Sequence, residues 1–185
     1  MTGTPGCGKT TAASQLPYRV IDLNSLVREG LNTGLDEERG CLIADKDALD
    51  QRISELDSDE IIVLEGHFSH HFAKEAIVLR LSPRELWLRL KSRGYSDEKI
   101  KENVEAEALD VILVEAFLLC DKVHEIDTTN KSPEEVAELI VKIIENDIDL
   151  PPGGISWIEE VDRIGDPCRN SEMTGREEMG WTRGD

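Results

Sequence analysis

Cysteine and aromatic residues are scarce in this sequence, and their scarcity excludes several classes of protein. The four cysteines are scattered and form no C-x-x-C pair, which argues against a structural zinc site or a disulfide framework and favours a reducing compartment. Aromatic residues make up only 4% of the chain. The core of a globular domain of this length must therefore be built mainly from Leu, Ile, Val and Ala.

Positive charge is also in short supply, because 21 Lys and Arg stand against 39 Asp and Glu and leave a formal net charge of −18. General nucleic-acid binding needs clustered Lys and Arg, so we expect no strong direct binding of nucleic acid. Any anionic substrate must be held by a local positive site. No apolar run approaches a membrane span and no signal-peptide pattern opens the chain, so we expect no membrane contact and a cytoplasmic location.

What the chain does have is a glycine-rich segment at its start. Residues 3–10 read GTPGCGKT, which fits the phosphate-binding P-loop pattern G-x-x-x-x-G-K-[ST]. The backbone N–H groups of such a loop surround phosphate oxygens, and side chains at the glycine positions would obstruct it. The helix that begins at Lys9 adds its N-terminal dipole. We expect Lys9 to reach the β- and γ-phosphates of ATP and the Thr10 hydroxyl to bind Mg²⁺.

The start of this loop departs from the usual pattern. A P-loop follows a buried strand in the middle of the sheet, but only Met1 and Thr2 precede Gly3 here. We expect that this strand is encoded upstream of Met1; the alternative is a chain that folds around a gap. Loss of the strand would leave an inactive or poorly folded form.

A second motif is an apolar strand that ends in an acidic residue. Residues 60–64 run into Glu65, whose carboxylate would lie beside the P-loop and hold Mg²⁺, usually through water. His67 either orients a phosphate or a water or makes a structural hydrogen bond. His67, His70 and His71 resemble a metal cluster only superficially, because the rest of the sequence offers no convincing partner ligands. We therefore expect no metal other than Mg²⁺.

A possible lid lies between two predicted helices, at Arg93, Gly94 and Tyr95. Phosphoryl transfer needs cationic groups that arrive when the site closes. Arg93 has the position and the neighbouring glycine for this role; the alternative is a helix C-cap arginine beside a C′ glycine. We assign Lys9, Glu65, His67 and Arg93 to the catalytic set.

Apolar periodicity and capping residues predict alternating strands and helices. This order predicts an α/β fold of the P-loop NTPase type, a parallel sheet with helices on both faces and its first strand missing. One domain would cover residues 1–164, and 165–185 would be a disordered tail. Predicted strands are 19–22, 60–64, 76–81 and 123–126; predicted helices are 9–16, 23–29, 47–56, 83–92, 97–120 and 133–146, with a capping box at Ser82, a helix start at Ser132 and a polar loop over 32–41.

Three blocks of the sequence resemble the archaeal adenylate kinases that are related to eukaryotic adenylate kinase isoenzyme 6. They are residues 2–11, residues 21–24 with 35–39, and residues 93–100 with 102–107. The likeness extends from residue 2 to about residue 161, and the middle blocks are more specific than the P-loop alone. The tail after residue 165 has no recognisable counterpart.

The resemblance implies transfer of the γ-phosphate of ATP to AMP or a related nucleoside monophosphate, with ATP hydrolysis in some members. Residues 22–46 would bind the monophosphate and residues 92–102 would form a short lid, with Arg93 on ATP. Glu65 and His67 match the Walker B segment. The residues that would bind ATP are Gly6, Gly8, Lys9, Thr10 and Thr11, and those assigned to the monophosphate are Asp22, Asn24 and Arg39.

The resemblance also implies a role in maturation of small-subunit ribosomal RNA and contact with the ribosomal protein S-eleven. Two functions therefore remain open. The chain is either an adenylate kinase-type enzyme or an ATPase that times a release step on a pre-ribosomal particle, where its acidic surface would suit a basic ribosomal protein. Dependence of ATP turnover on AMP distinguishes them.

Overall fold

The computed structural model describes residues 1–37, 40–56 and 59–163. The predicted tail at 165–185 lies outside these residues. Strands and helices alternate through most of the described chain, as predicted. The strands are β1 (Arg19–Asp22), β2 (Asn32–Asp36), β3 (Cys41–Ala44), β4 (Ile62–Glu65), β5 (Glu75–Arg80) and β6 (Lys122–Asp127). The helices are α1 (Lys9–Ala13), α2 (Leu23–Arg28), α3 (Lys46–Ser54), α4 (Pro83–Ser92), α5 (Asp97–Ala108), α6 (Val111–Leu119) and α7 (Pro133–Ile144), with 3₁₀ turns at Ser69–Phe72 and Ile158–Arg163.

Two parallel strand pairs, β1 with β4 and β5 with β6, form the centre of the fold. Met1 and Thr2 lie between the pairs. The Met1 amino group donates to the Leu64 carbonyl of β4 at 2.7 Å. The Thr2 N–H donates to the Ile77 carbonyl of β5, and the Leu79 N–H donates to the Thr2 carbonyl, each at 2.9 Å. Met1 and Thr2 thus join the pairs at the position of the strand that was expected to be missing.

Helices pack on both faces of the parallel strands, as predicted. Side chains on a strand alternate between faces, and β5 shows this directly: Leu79 packs in the cluster formed with α1, α4, α5 and α7, whereas Ala76 and Val78 pack against α6. On β4, Val63 joins the first cluster and Leu64 contacts α2 and α3. Among the described residues, no helix has the length and hydrophobicity needed to cross a membrane.

The predicted polar loop over 32–41 was wrong in part, because β2 and β3 form an antiparallel hairpin there. Both strands are short and largely exposed; Leu35 and Ile43 are 60% and 48% exposed. A hairpin with little buried surface shows no clear apolar alternation, which is the sequence signal for a strand.

The single helix predicted over 97–120 was also wrong: the structure has two helices, α5 and α6, separated at Leu109 and Asp110. Asp110 has a left-handed backbone with φ of 57°, which ends the regular helix. Its carboxylate forms an ion pair with the buried Arg80 of β5. A tertiary contact therefore breaks a pattern that reads locally as one helix.

Capping differs between two helix starts, the one predicted to have a capping box at Ser82 and the one at Ser132. At Ser132 the box is complete, because the Glu135 N–H donates to Ser132 Oγ and the Ser132 N–H donates to Glu135 Oε2. At Ser82 only half of it forms: the Glu85 N–H donates to Ser82 Oγ at 3.4 Å, while the Glu85 carboxylate accepts a hydrogen bond from Arg89 at 3.1 Å.

Candidate functional site

The glycine-rich loop is closely packed against β5 and α4. Gly3 has φ of +138°, and a Cβ at this position would lie 2.4 Å from the Leu79 carbonyl oxygen. Gly6 has φ of +105°, and a Cβ there would lie 2.6 Å from Leu86 Cδ1. Because the backbone angles and the close neighbours both disfavour a side chain, glycine is required at these two positions. The loop lies directly after Met1 and Thr2, which join β4 and β5, and directly before α1.

Lys9, the first residue of α1, places its ammonium inside this loop. It is only 7% exposed, and Nζ donates to the carbonyl oxygens of Gly3 at 2.8 Å and Thr4 at 3.1 Å. Burial lowers the pKa of Lys9. A positive charge enclosed by a glycine-rich loop at a helix N-terminus is suited to binding a phosphate group.

Glu65 ends β4 beside the P-loop, where the sequence analysis expected it. Its side chain is buried, and Thr10 Oγ1 donates to Glu65 Oε2 at 3.4 Å. Burial raises the pKa of Glu65, an effect that the nearby Lys9 ammonium opposes. A hydroxyl and a carboxylate are the hard oxygen donors that Mg²⁺ prefers. Thr10 and Glu65 therefore form a pair that fits a magnesium ion by the chemistry of its donors.

His67 lies two residues after Glu65 and is exposed on the surface. Its carbonyl oxygen accepts a hydrogen bond from Thr2 Oγ1 at 3.0 Å, and its ring packs edge-on against Phe68 with centroids 4.8 Å apart. Partial burial and the Lys9 charge lower the pKa of His67 and so favour the neutral form of its ring. The backbone of His67 has a structural role, and a role for its ring stays a prediction.

The residues assigned to the monophosphate lie on the other side of β4. The Asp22 carboxylate caps α2 by accepting from the Asn24 N–H at 2.8 Å and also pairs with Arg28 at 3.3 Å. The Asn24 side chain lies next to Gly66. Arg39 lies outside the described residues. Asp22 and Asn24 are thus close to the Glu65 strand end, and the Asp22 carboxylate is already engaged within α2.

A cleft with a volume of about 240 Å³ opens on the α4 side of the P-loop. Arg93 lines this cleft and caps the C-terminus of α4, and its role in a lid stays a prediction. Two further cations, Arg89 and Lys131, line the same cleft together with Gly8 and Thr11 of the P-loop. This is the local positive site that an acidic protein needs in order to hold an anion.

Sequence reasoning missed Arg89 and Lys131 as site residues. A signal for Arg89 was present, because it precedes Arg93 by one helical turn and so shares its face of α4. Lys131 follows the carboxyl end of β6, the edge at which ligands bind in parallel sheets.

A buried ionic cluster supports the P-loop from behind, and the sequence analysis did not predict it. Arg80 of β5 is 1% exposed and donates to Glu107 Oε1 at 2.7 Å and to Glu125 Oε1 at 2.5 Å. Glu107 in turn accepts from Thr4 Oγ1 at 2.5 Å. Because Glu107 lies near the end of α5, the cluster connects the P-loop with the helix whose first half belongs to the predicted lid.

Comparison with known proteins agrees with this geometry. Residues 1–110 match the family described as AAA domain. The chain is 49% identical over 177 residues to a Methanosarcina barkeri protein named "Putative adenylate kinase", an alignment covering 87% of this chain and 97% of that protein. Proteins with the same name from Methanothermobacter thermautotrophicus and Archaeoglobus fulgidus are 46% and 45% identical over 164 and 172 residues, covering 85% and 89% of this chain and 95% and 94% of theirs.

These matches confirm the predicted archaeal relationship and the P-loop NTPase fold class, whereas the link to the eukaryotic isoenzyme stays a prediction. The matched residues 1–110 include the P-loop, the Glu65 strand, and Arg89 and Arg93 of the cleft. The chain belongs to the family of the archaeal proteins that carry the adenylate kinase name, and its first 110 residues match an AAA domain.

Proposed function

We propose that this protein is a nucleoside monophosphate kinase that transfers the γ-phosphate of ATP to AMP and produces two molecules of ADP. The observation that carries the proposal is the buried Lys9 ammonium, which lies inside a P-loop with Thr10 and Glu65 beside it. The names of the archaeal relatives support the choice of acceptor, because those proteins are named as adenylate kinases.

In this proposal ATP binds along the P-loop and the neighbouring cleft. The backbone N–H groups of Gly6, Gly8 and the first turn of α1 hold the phosphates, and Lys9 exchanges its contacts with loop carbonyls for the β- and γ-phosphates. Thr10 and Glu65 would hold Mg²⁺, which neutralises charge on the phosphates. Thr11 and the cleft beyond Gly8 would accommodate the nucleoside.

The acceptor would bind on the side of β4 where α2 begins. Asp22 and Asn24 lie there beside Glu65, and Arg39 belongs to the same 22–46 segment; we assign these three residues to the monophosphate. No covalent intermediate is required, because transfer between two bound nucleotides depends on positioning and charge neutralisation. His67 would orient the acceptor phosphate or a water molecule.

Arg93 and the 92–102 segment would close over the transferred group. Gly94 has φ of +75°, so that the chain turns sharply directly after Arg93 at a residue with little steric restriction. Arg89 and Lys131 flank Arg93 in the cleft. A cation that arrives on closure would stabilise the charge on the migrating phosphoryl group.

The deciding experiment measures ADP formation from ATP and Mg²⁺ with and without AMP. We expect turnover that requires AMP and that is lost in Lys9→Ala, provided that circular dichroism shows the variant to be folded. The matched control is Lys142→Ala, which removes an exposed lysine of α7 that lies outside the P-loop, the cleft lining and the 92–102 segment. AMP-dependent turnover that persists in Lys9→Ala would contradict the proposal.

A second function, ATP hydrolysis coupled to assembly of the small ribosomal subunit, is favoured by the surface of the molecule. The net charge is −18, and α6 exposes large apolar side chains, with Phe117 and Leu118 at 66% and 76% exposure. An acidic protein with an apolar helix face would suit a basic protein partner such as S-eleven. Release of inorganic phosphate that is independent of AMP would favour this function over the kinase.

A further inference from the structure

A group of potential metal ligands lies apart from the P-loop cleft. His70 and His71 belong to the 3₁₀ turn Ser69–Phe72, and Glu115 projects from α6, which packs against that turn. The ligand atoms of the three side chains all lie within 4.8 Å of one another. The two imidazole rings are tilted by 32° with centroids 4.6 Å apart. Glu115 is thus the partner ligand that the sequence analysis did not find for these histidines.

The hydrogen bonds around His70 define its tautomer. Its Nδ1 lies 3.0 Å from Thr2 Oγ1, and the Thr2 hydroxyl donates its single proton to the His67 carbonyl oxygen at 3.0 Å. Toward His70 this hydroxyl can act only as an acceptor. Nδ1 of His70 therefore carries the ring proton, and Nε2 presents a lone pair.

The lone pair of His70 Nε2 has no hydrogen-bond partner among the described residues, although the His70 side chain is only 1% exposed. Nε2 lies 3.4 Å from Glu115 Oε2. Two electron-rich atoms at this distance repel each other unless a cation lies between them. A buried ring nitrogen without a hydrogen bond, 3.4 Å from a carboxylate oxygen, is therefore suited to share a cation with that oxygen.

We propose that His70, His71 and Glu115 bind a divalent transition-metal ion, for which Zn²⁺ is the best fit. Two imidazoles and one carboxylate suit zinc, whereas Mg²⁺ and Ca²⁺ prefer oxygen ligands alone. Zinc–ligand bonds of about 2.0–2.1 Å place tetrahedral ligand atoms about 3.3 Å apart, close to the 3.4 Å between His70 Nε2 and Glu115 Oε2. His71 and Glu115 are exposed, so their side chains can adjust and the fourth position faces solvent.

The surroundings of His70 match those of metal-bound histidines, which commonly donate their other ring N–H to a neighbouring oxygen. Here that acceptor is the hydroxyl of Thr2, the residue directly before the P-loop. A bound metal would connect α6 to the turn that follows Glu65 and His67. The bound metal would stabilise the contact between α6 and this turn. The site is separate from the one proposed for Mg²⁺ at Thr10 and Glu65.

The test is Zn²⁺ titration of chelator-treated full-length protein by calorimetry, with excess Mg²⁺ present to occupy the Thr10–Glu65 site. We expect the wild type to bind one zinc ion per chain. His71→Ala and Glu115→Gln should each bind zinc at least about tenfold more weakly, because losing a metal ligand should cost more affinity than losing a residue that only supports a ligand. These exposed positions are used because His70 is buried. Glu138→Gln, an exposed glutamate of α7, is the matched control and should bind zinc as the wild type does.

Co²⁺ provides a second readout, because tetrahedral cobalt absorbs visible light more strongly than octahedral cobalt. Intense absorption in the wild type that is lost in Glu115→Gln would support the site. Zinc affinity that is the same in the wild type, His71→Ala and Glu115→Gln would overturn the proposal, as would the absence of stoichiometric binding in the wild type.

Discussion

Thr4 Oγ1 donates a hydrogen bond of 2.5 Å to Glu107 Oε2, and this contact ties the P-loop to the C-terminal part of α5. The other oxygen of Glu107 accepts from Arg80 and from the Leu81 N–H. Thr4, the second residue of the P-loop, therefore contacts a carboxylate that is itself held by the buried Arg80. Because α5 begins inside the predicted 92–102 lid, this contact joins the P-loop to the helix that carries half of that segment.

The first prediction concerns Arg80. Arg80→Met removes the cation that pairs with Glu107, Glu125 and Asp110 and leaves these carboxylates without its positive charge. Breaking a buried ion pair in this way costs about 3–5 kcal/mol. We expect a loss of unfolding free energy of this size in urea titrations at pH 7.

The control for this prediction is Arg84→Met, which replaces an exposed arginine of α4 with the same side chain. Its stability should stay within about 0.5 kcal/mol of the wild type. If both variants were equally stable at pH 7, the cluster would contribute nothing to the fold.

The second prediction concerns the buried Glu65. Since burial raises its pKa, the folded protein binds the Glu65 proton more tightly than the unfolded chain does. The ionised side chain therefore destabilises the fold, and this cost appears as the pH rises from the ordinary glutamate value of 4.5 through the raised pKa. Without Mg²⁺, Glu65→Gln should have a higher melting temperature than the wild type at pH 8, and the difference between the two melting temperatures should shrink toward pH 4.5.

Thermal melts of both proteins in chelator across this pH range provide the measurement. With Mg²⁺ and ATP present at pH 8, the wild type should have the higher melting temperature, because only the wild type is stabilised by the bound ligand. A Glu65→Gln variant that melts below the wild type in chelator at every pH would show that the carboxylate stabilises the fold instead.

The third prediction separates Arg93 from its neighbours on α4. Arg93→Ala should lower kcat for ADP formation by about 100-fold or more, the range found when a donor to the transition state is removed. Arg84→Ala, on the same helix but away from the cleft, should leave kcat unchanged. Steady-state kinetics with ATP and AMP varied separately would check this. A change confined to KM would assign Arg93 to ground-state binding only.

The fourth prediction concerns thiol reactivity. Cys7 is fully buried in the P-loop, its Sγ donates to the Thr4 carbonyl at 2.9 Å, and burial raises its pKa to about 12. Cys41 of β3 is exposed. Because only the thiolate reacts readily, iodoacetamide at pH 8 should modify Cys41 in the folded protein and Cys7 only in denaturant. Peptide mass spectrometry gives both rates, and equal rates would mean that the P-loop opens often.

The parts of this protein that depend on neighbours along the chain were predictable. The P-loop pattern identified Lys9 and Thr10, and the apolar run before Glu65 identified the second site element, because parallel strands bring their carboxyl ends to one edge. The complete capping box at Ser132 is also a local signal, in which two residues three positions apart satisfy each other's backbone groups.

The remaining features depend on which elements the fold places side by side. Thr4 meets Glu107, and His70 meets Glu115, only because α5 and α6 pack against the parallel strands and the turn after β4. The break at Asp110 likewise follows from its ion pair with Arg80. By itself the sequence determined the phosphate-binding loop, the strand that carries Glu65 and the α/β class, whose signals lie within a few consecutive residues. The tertiary structure alone decided the ionic cluster, the cationic cleft and the histidine–glutamate group, because no local pattern encodes the distance between side chains that are far apart in the chain.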